Sequence, residues 1–178
     1  MTVSSDLATD NRVHRSCTVL EELGFQVYLI GRQKKSSPQM PKRTYSVRRI
    51  KLFFEKGALF YANLNVRLFF ILLFHQYEYI FANDLDTLPA AFLVSRIKRK
   101  PILYDSHELF TEVPELASRP RIQKIWSSIE RFILPRLEEM CTVNQSIAKI
   151  FKHKYQLNVS VVRNVPQKLE AISALSKR

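Results

Sequence analysis

Residues 101–108 read Pro-Ile-Leu-Tyr-Asp-Ser-His-Glu, a short apolar run that breaks into Asp105, His107 and Glu108. An imidazole within a few residues of carboxylates can serve as general acid or base, or can hold a hydroxyl-rich substrate by hydrogen bonds. The competing reading is a histidine that ties down the loop running on to Arg119. Residues 79–86 end in the same manner, in Asn83, Asp84 and Asp86. Alternate spacing puts both carboxylates on one side of an extended segment, where they could grip sugar hydroxyls or a cation. Asp86 or Thr87 also fits as the N-cap of a following helix. No His or Cys spacing accompanies these acids, so no metal site is expected. A third cluster, Asp10, Asn11 and Arg12, stands where a first strand meets a first helix, a junction whose backbone N–H groups attract anions. Its loop has no glycine, and the chain has only Gly24, Gly31 and Gly57. Both the dinucleotide fingerprint and the P-loop need glycines at this junction, which argues against dehydrogenase and kinase readings.

Positioning such residues requires strands that end side by side. The pattern alternates accordingly. A strand at 2–4 leads through a loop to a helix over 11–23, with Asp10 as N-cap, Val13, Cys17 and Leu20 on one face and Gly24 as the stop. Strands then follow at 25–30, 79–82, 101–104, 139–143 and 159–162. Between them lie an apolar helix over 58–76, a helix over 88–97 with Pro89 in its first turn, a long loop from Asp105 to Arg119, a helix over 120–137 interrupted by Pro135 near its end and, after the cap Asn144, an amphipathic helix over 145–154. Strands alternating with helices imply right-handed crossovers: an α/β fold with a Rossmann-like parallel sheet flanked by helices on both faces. In such sheets ligands bind outside the carboxyl ends of the strands, so the polar strand endings predict one shared cleft.

The 178 residues are 46% hydrophobic, enough for one domain with a real core. Twenty-eight Lys and Arg against 16 Asp and Glu leave a net charge of +12, which favours anionic partners. Much of this charge sits in residues 32–51, where Lys34, Lys35, Lys42, Arg43, Arg48 and Arg49 meet no acid. Its first half reads as a loop and 44–50 as an edge strand. A solvated loop, a contact with anionic lipid or a charged acceptor, and nucleic acid all remain open for it, nucleic acid least, since Tyr45 alone supplies aromatic stacking. Cys17 and Cys141 read as reduced structural thiols. The first residues lack the basic start and apolar run of a secretory signal, which points to the cytoplasm. The helix over 58–76, interrupted by Asn63, Asn65 and Arg67, reads as buried and as too short to span a bilayer.

The ordered segments Ser4-Ser5-Asp6 through Asp10-Asn11-Arg12-Val13, Leu29-Ile30-Gly31-Arg32, Ala82-Asn83-Asp84-Leu85-Asp86-Thr87-Leu88-Pro89, Tyr104-Asp105-Ser106-His107-Glu108 and Val162-Arg163-Asn164-Val165-Pro166 resemble the N-terminal half of bacterial GT-B glycosyltransferases of retaining family four. The resemblance covers nearly the whole chain. It implies an acceptor-binding Rossmann-like domain over 1–166 and a linker or terminal helix over 167–178, leading to a donor-binding domain absent from this chain. A sugar would pass from a nucleotide-sugar donor to a surface-glycan or lipid-linked saccharide acceptor, without metal or cofactor. The resemblance places His107 by the donor sugar, with Glu108 beside it. It makes Asp10, Arg12, Asp84, Asp86, Asp105, Asn144 and Asn164 substrate contacts. A peripheral position on the inner face of the plasma membrane fits the basic segment. A non-catalytic subunit awaiting a donor-binding partner, or a basic nucleic-acid module, stays as an alternative.

Overall fold

In the computed structural model, which describes residues 1–165, seven strands form one parallel sheet. They are β1 (Thr2–Asp6), β2 (Tyr28–Gln33), β3 (Ser46–Lys51), β4 (Ile80–Asn83), β5 (Ile102–Ser106), β6 (Glu139–Thr142) and β7 (Asn158–Val161), in the order β3-β2-β1-β4-β5-β6-β7. Helices α1 (Asn11–Glu22), α2 (Gly57–Phe74), α3 (Leu88–Lys98), α4 (Pro114–Ala117), α5 (Pro120–Ile133) and α6 (Gln145–Tyr155) lie in the connections. Parallel neighbours require crossovers, so every strand ends at the same edge. The direction of winding reverses between β1 and β4, the place where such sheets open a crevice. The stretch expected as a linker, 167–178, lies outside the described residues.

Successive strand residues point to opposite faces. On one face Val3, Leu29 and Tyr45 meet Val13 and Cys17 of α1. On the other, Ile30, Ile80, Tyr104 and Met140 join buried residues of α2, α3, α5 and α6 in a much larger cluster. Both cysteines are buried and free, as expected. α1 starts where Asp10 Oδ1 accepts from Val13 N at 3.0 Å and ends before Gly24, whose φ is 89°. α6 starts where Asn144 Oδ1 accepts from Ile147 N at 2.9 Å.

Four expectations need correction. The second strand covers Tyr28–Gln33 rather than 25–30. Phe25 stays 51% exposed, edge-on to Tyr79, while Gly31 and Arg32 continue the ladder opposite Arg49 and Ile50. The loop expected over 105–119 begins instead as β5 and then folds into a 3₁₀ turn, Phe110–Glu112, and α4. Pro135 ends α5 early, at Ile133, in a second 3₁₀ turn, because a proline cannot supply the helical N–H. Finally, α2 is not a buried helix. Phe60, Leu64, Leu68 and Leu72 form its only buried stripe, and 22% of the helix is buried at a mean hydropathy of 1.6, long and apolar enough by composition to cross a membrane.

Candidate functional site

Three strand ends meet at the carboxyl edge. Asp84, just past β4, adopts a left-handed backbone with φ 60°, a conformation that Asp tolerates better than most residues. Its amide donates to Asp105 O at 2.9 Å, and this turn swings the carboxylate toward the end of β5. There Asp84 Oδ1 lies 3.2 Å from His107 Nδ1 and accepts from His107 N at 3.3 Å. The other ring nitrogen, Nε2, stands 3.1 Å from Asp105 Oδ2. Arg12, in the first turn of α1, donates through Nη2 to Asp84 Oδ2 at 3.1 Å and lies 3.8 Å from Asp10. Ser5 donates to the same Asp10 carboxylate. Asp10, Arg12, Asp84, Asp105 and His107 thus form one connected network drawn from β1, β4 and β5.

Burial alone would strip the proton from His107, but the hydrogen bonds to Asp105 and Asp84, and their charges, raise it from 6.5 to about 9. At neutral pH the ring is therefore an imidazolium donating from both nitrogens. Burial works against ionisation of Asp84, yet His107 and Arg12 outweigh it and hold the carboxyl below its usual value. A ring so clamped is a fixed cation rather than a proton shuttle, which modifies the acid–base role read from the sequence. Glu108 is exposed beside the network. Partial loss of water around its carboxyl and the charges of Asp84 and Glu115 raise its pKa.

The two acids of the β4 loop do not share a side as an extended segment would arrange them. The left-handed turn at Asp84 sends Asp86 inward, where it is 6% exposed with Oδ1 lacking a partner among the described residues. Burial pushes Asp86 up to about 7, with a hydrogen bond from Ser4 working against it. Neither Asp86 nor Thr87 caps α3 with its side chain. Thr87 donates to Asn83 O instead, and the helix start is satisfied from α2, where Asn65 Oδ1 accepts from Ala90 N at 3.0 Å and Asn65 Nδ2 donates to Asp86 O at 2.8 Å. Asn144 sits just past β6 at the same edge, its side-chain oxygen spent on the start of α6. Asn164 accepts from Arg15 of α1 and makes no bond to the network among the described residues.

Of the basic residues singled out, Arg49 is occupied: it lies 3.4 Å from Asp6, a buried acid that also accepts from Ser37 and Ala8 N. Asp6, read from sequence as mere loop, pins both ends of the basic segment to the end of β1. A carboxylate at a strand end, set against a distant run of cations with no acid of its own, was the signal for it. Arg43 is half-buried near His14, whereas Lys34, Lys35, Lys42 and Arg48 are exposed. Among the described residues no group of three or more His, Cys, Asp or Glu is arranged to hold a metal ion.

A doubly wound parallel sheet with acids, an arginine and an imidazolium gathered at its winding reversal defines a Rossmann-type ligand-binding domain. The pattern of Glycosyltransferase Family 4 matches residues 10–166, and the chain belongs to that family, as a glycosyltransferase domain of the N-terminal GT-B type. No curated protein matches it.

Proposed function

We propose that this domain binds the saccharide acceptor of a transferase that builds a bacterial surface glycan, the donor being a nucleotide-sugar held mostly by a second domain. The observation that carries the reading is the charge balance of the network. Three carboxylates, Asp10, Asp84 and Asp105, face only two cations, Arg12 and His107. A cluster with surplus acid suits neutral hydroxyls, which donate to carboxylates, and disfavours a diphosphate. In the transfer, the bond between the anomeric carbon and phosphate breaks with its electrons leaving on the nucleotide, and the acceptor oxygen forms the new bond as it loses its proton. His107, as a fixed cation, holds Asp84 toward the acceptor, and Glu108, exposed beside the network, receives the proton. Asn144 and Asn164 line the outer edge, and Asp86 supports the β4 loop from beneath. The domain works at the cytoplasmic side of the membrane, on a surface-glycan or lipid-linked saccharide, and needs no metal.

Calorimetric titration with an oligosaccharide panel and with nucleotide-sugars tests this. Saccharide affinity should fall about tenfold, roughly one charge-assisted hydrogen bond, in Asp84→Asn, with nucleotide-sugar binding by residues 1–178 weak and unchanged. Tight nucleotide-sugar binding that Asp84→Asn abolishes would place the donor at this network and overturn the assignment.

A further inference from the structure

Helix α2 is inside out. Its polar residues are all engaged within the protein: Asn63 Oδ1 accepts from Phe53 N at 3.0 Å, Asn65 bridges to the β4 loop and α3, and the Arg67 guanidinium lies 4.7 Å over the Phe53 ring. Opposite its buried stripe runs a second stripe, Leu59, Val66, Phe70 and Phe74, which is 52–81% exposed, with Arg67 on its flank as the one charge of the helix. Water-facing helix surfaces ordinarily invert this arrangement. The helix cannot cross a bilayer as it stands, because it connects β3 to β4 of one sheet and its buried stripe belongs to the core. It can only lie on something.

Charge says what. Phe53 and Phe54, 77% and 44% exposed, lead into the helix, and Arg48, Lys51 and Lys56, near them along the chain, are exposed with no acidic partner among the described residues. The one acid nearby, Glu55, lies 3.8 Å from Arg32 and accepts from the Lys35 amide. An apolar stripe with aromatic residues at one end and a rim of free cations complements an anionic bilayer surface, into which such a helix sinks its apolar side. We propose that the outer stripe of α2, with Phe53 and Phe54, is the docking surface of this domain on anionic lipid. α2 starts near the carboxyl edge of the sheet, and Asn65 ties it to the loop after β4 that carries Asp84. This deepens the lipid-linked acceptor reading by naming the surface that meets the lipid, and it stands or falls without any sugar being present.

The experiment is flotation of the chain with vesicles of phosphatidylcholine alone and of phosphatidylcholine with phosphatidylglycerol. Binding is expected only to the second, weakened by salt, and reduced about tenfold by Phe70→Glu, whose position is solvent-facing so that the circular dichroism melt stays unchanged. In a second readout, a Trp placed by Phe70→Trp should be quenched by brominated acyl chains. Absence of flotation, flotation indifferent to Phe70→Glu, or a Trp untouched by brominated lipid overturns the proposal. A concentration-dependent dimer in light scattering that Phe70→Glu dissolves would also overturn it, assigning the stripe to a second copy of the chain. Loss of saccharide binding with flotation intact would instead count only against the acceptor reading.

Discussion

His107 shows how neighbouring charges decide what a residue can do. The pattern Asp-Ser-His-Glu advertises an acid–base histidine, but two carboxylates at 3.1 and 3.2 Å turn it into a lasting cation. An NMR titration should find the ring losing its proton near pH 9, and Asp84→Asn should move that value back toward 6.5. Stability follows with a definite sign. The folded state holds the His107 proton more tightly than the unfolded chain, so the stabilisation is complete below pH 6.5 and disappears as pH rises through 9. Asp86 acts in the same direction in a lower window, because its protonated form is favoured in the fold up to about 7 against an ordinary 3.8. Thermal melts should therefore show stability falling from mildly acid to alkaline pH. Asp84→Asn should flatten the part between 6.5 and 9 and reduce the lower part less, since burial, ahead of the Asp84 charge, raises Asp86; a melt profile identical in the variant would refute the clamp.

At the scale of elements, the site depends on close packing behind it. Gly31 in β2 leaves room for the chain after β1: a Cβ there would lie 2.5 Å from Leu7 Cδ2 and 2.8 Å from Val3 Cγ1. Gly31→Ala should destabilise the fold by about 1–3 kcal/mol, as overpacking does, and Leu7→Ala in the same chain should restore part of the loss. Denaturant midpoints of the two single variants and the double variant measure the coupling, and simple additivity would contradict it. Local patterns carried such elements well where they are self-contained. Asp10 and Asn144 cap helices that their sequence neighbourhoods already announce. They carried less where a distant partner decides. The second strand shifted because β3 supplies pairing through Gly31 and Arg32, and the start of α3 is satisfied by Asn65, 25 residues away. The network itself was legible as a set of strand-end acids, but its wiring was not, since no periodicity announces a left-handed Asp84. α2 misled for the same reason: an apolar helix reads alike whether it is covered or not.

Across the whole molecule the two faces of the sheet are unequal. The α1 face has seven buried apolar residues in its cluster, whereas the other face unites α2, α3, α5 and α6 with most strands. Stability within a domain follows such contact density, so α1, packed on the smaller cluster alone, should open before α3 on the larger one does. The functional network straddles that divide, with Asp10 and Arg12 on the weaker side and Asp84, Asp105 and His107 on the stronger. The weaker side is also the one whose position sets whether Arg12 reaches Asp84. Native-state hydrogen exchange should accordingly show α1 amides exchanging ahead of those of α3, β4 and β5. Val13→Ala, which opens a void in the smaller cluster at a cost of about 1–3 kcal/mol, should widen that gap. His107 should still titrate near pH 9 in this variant, because its two carboxylates belong to the part that stays closed. Uniform exchange of both sides would mean that the sheet opens as one unit, and the network would then have no independently mobile half.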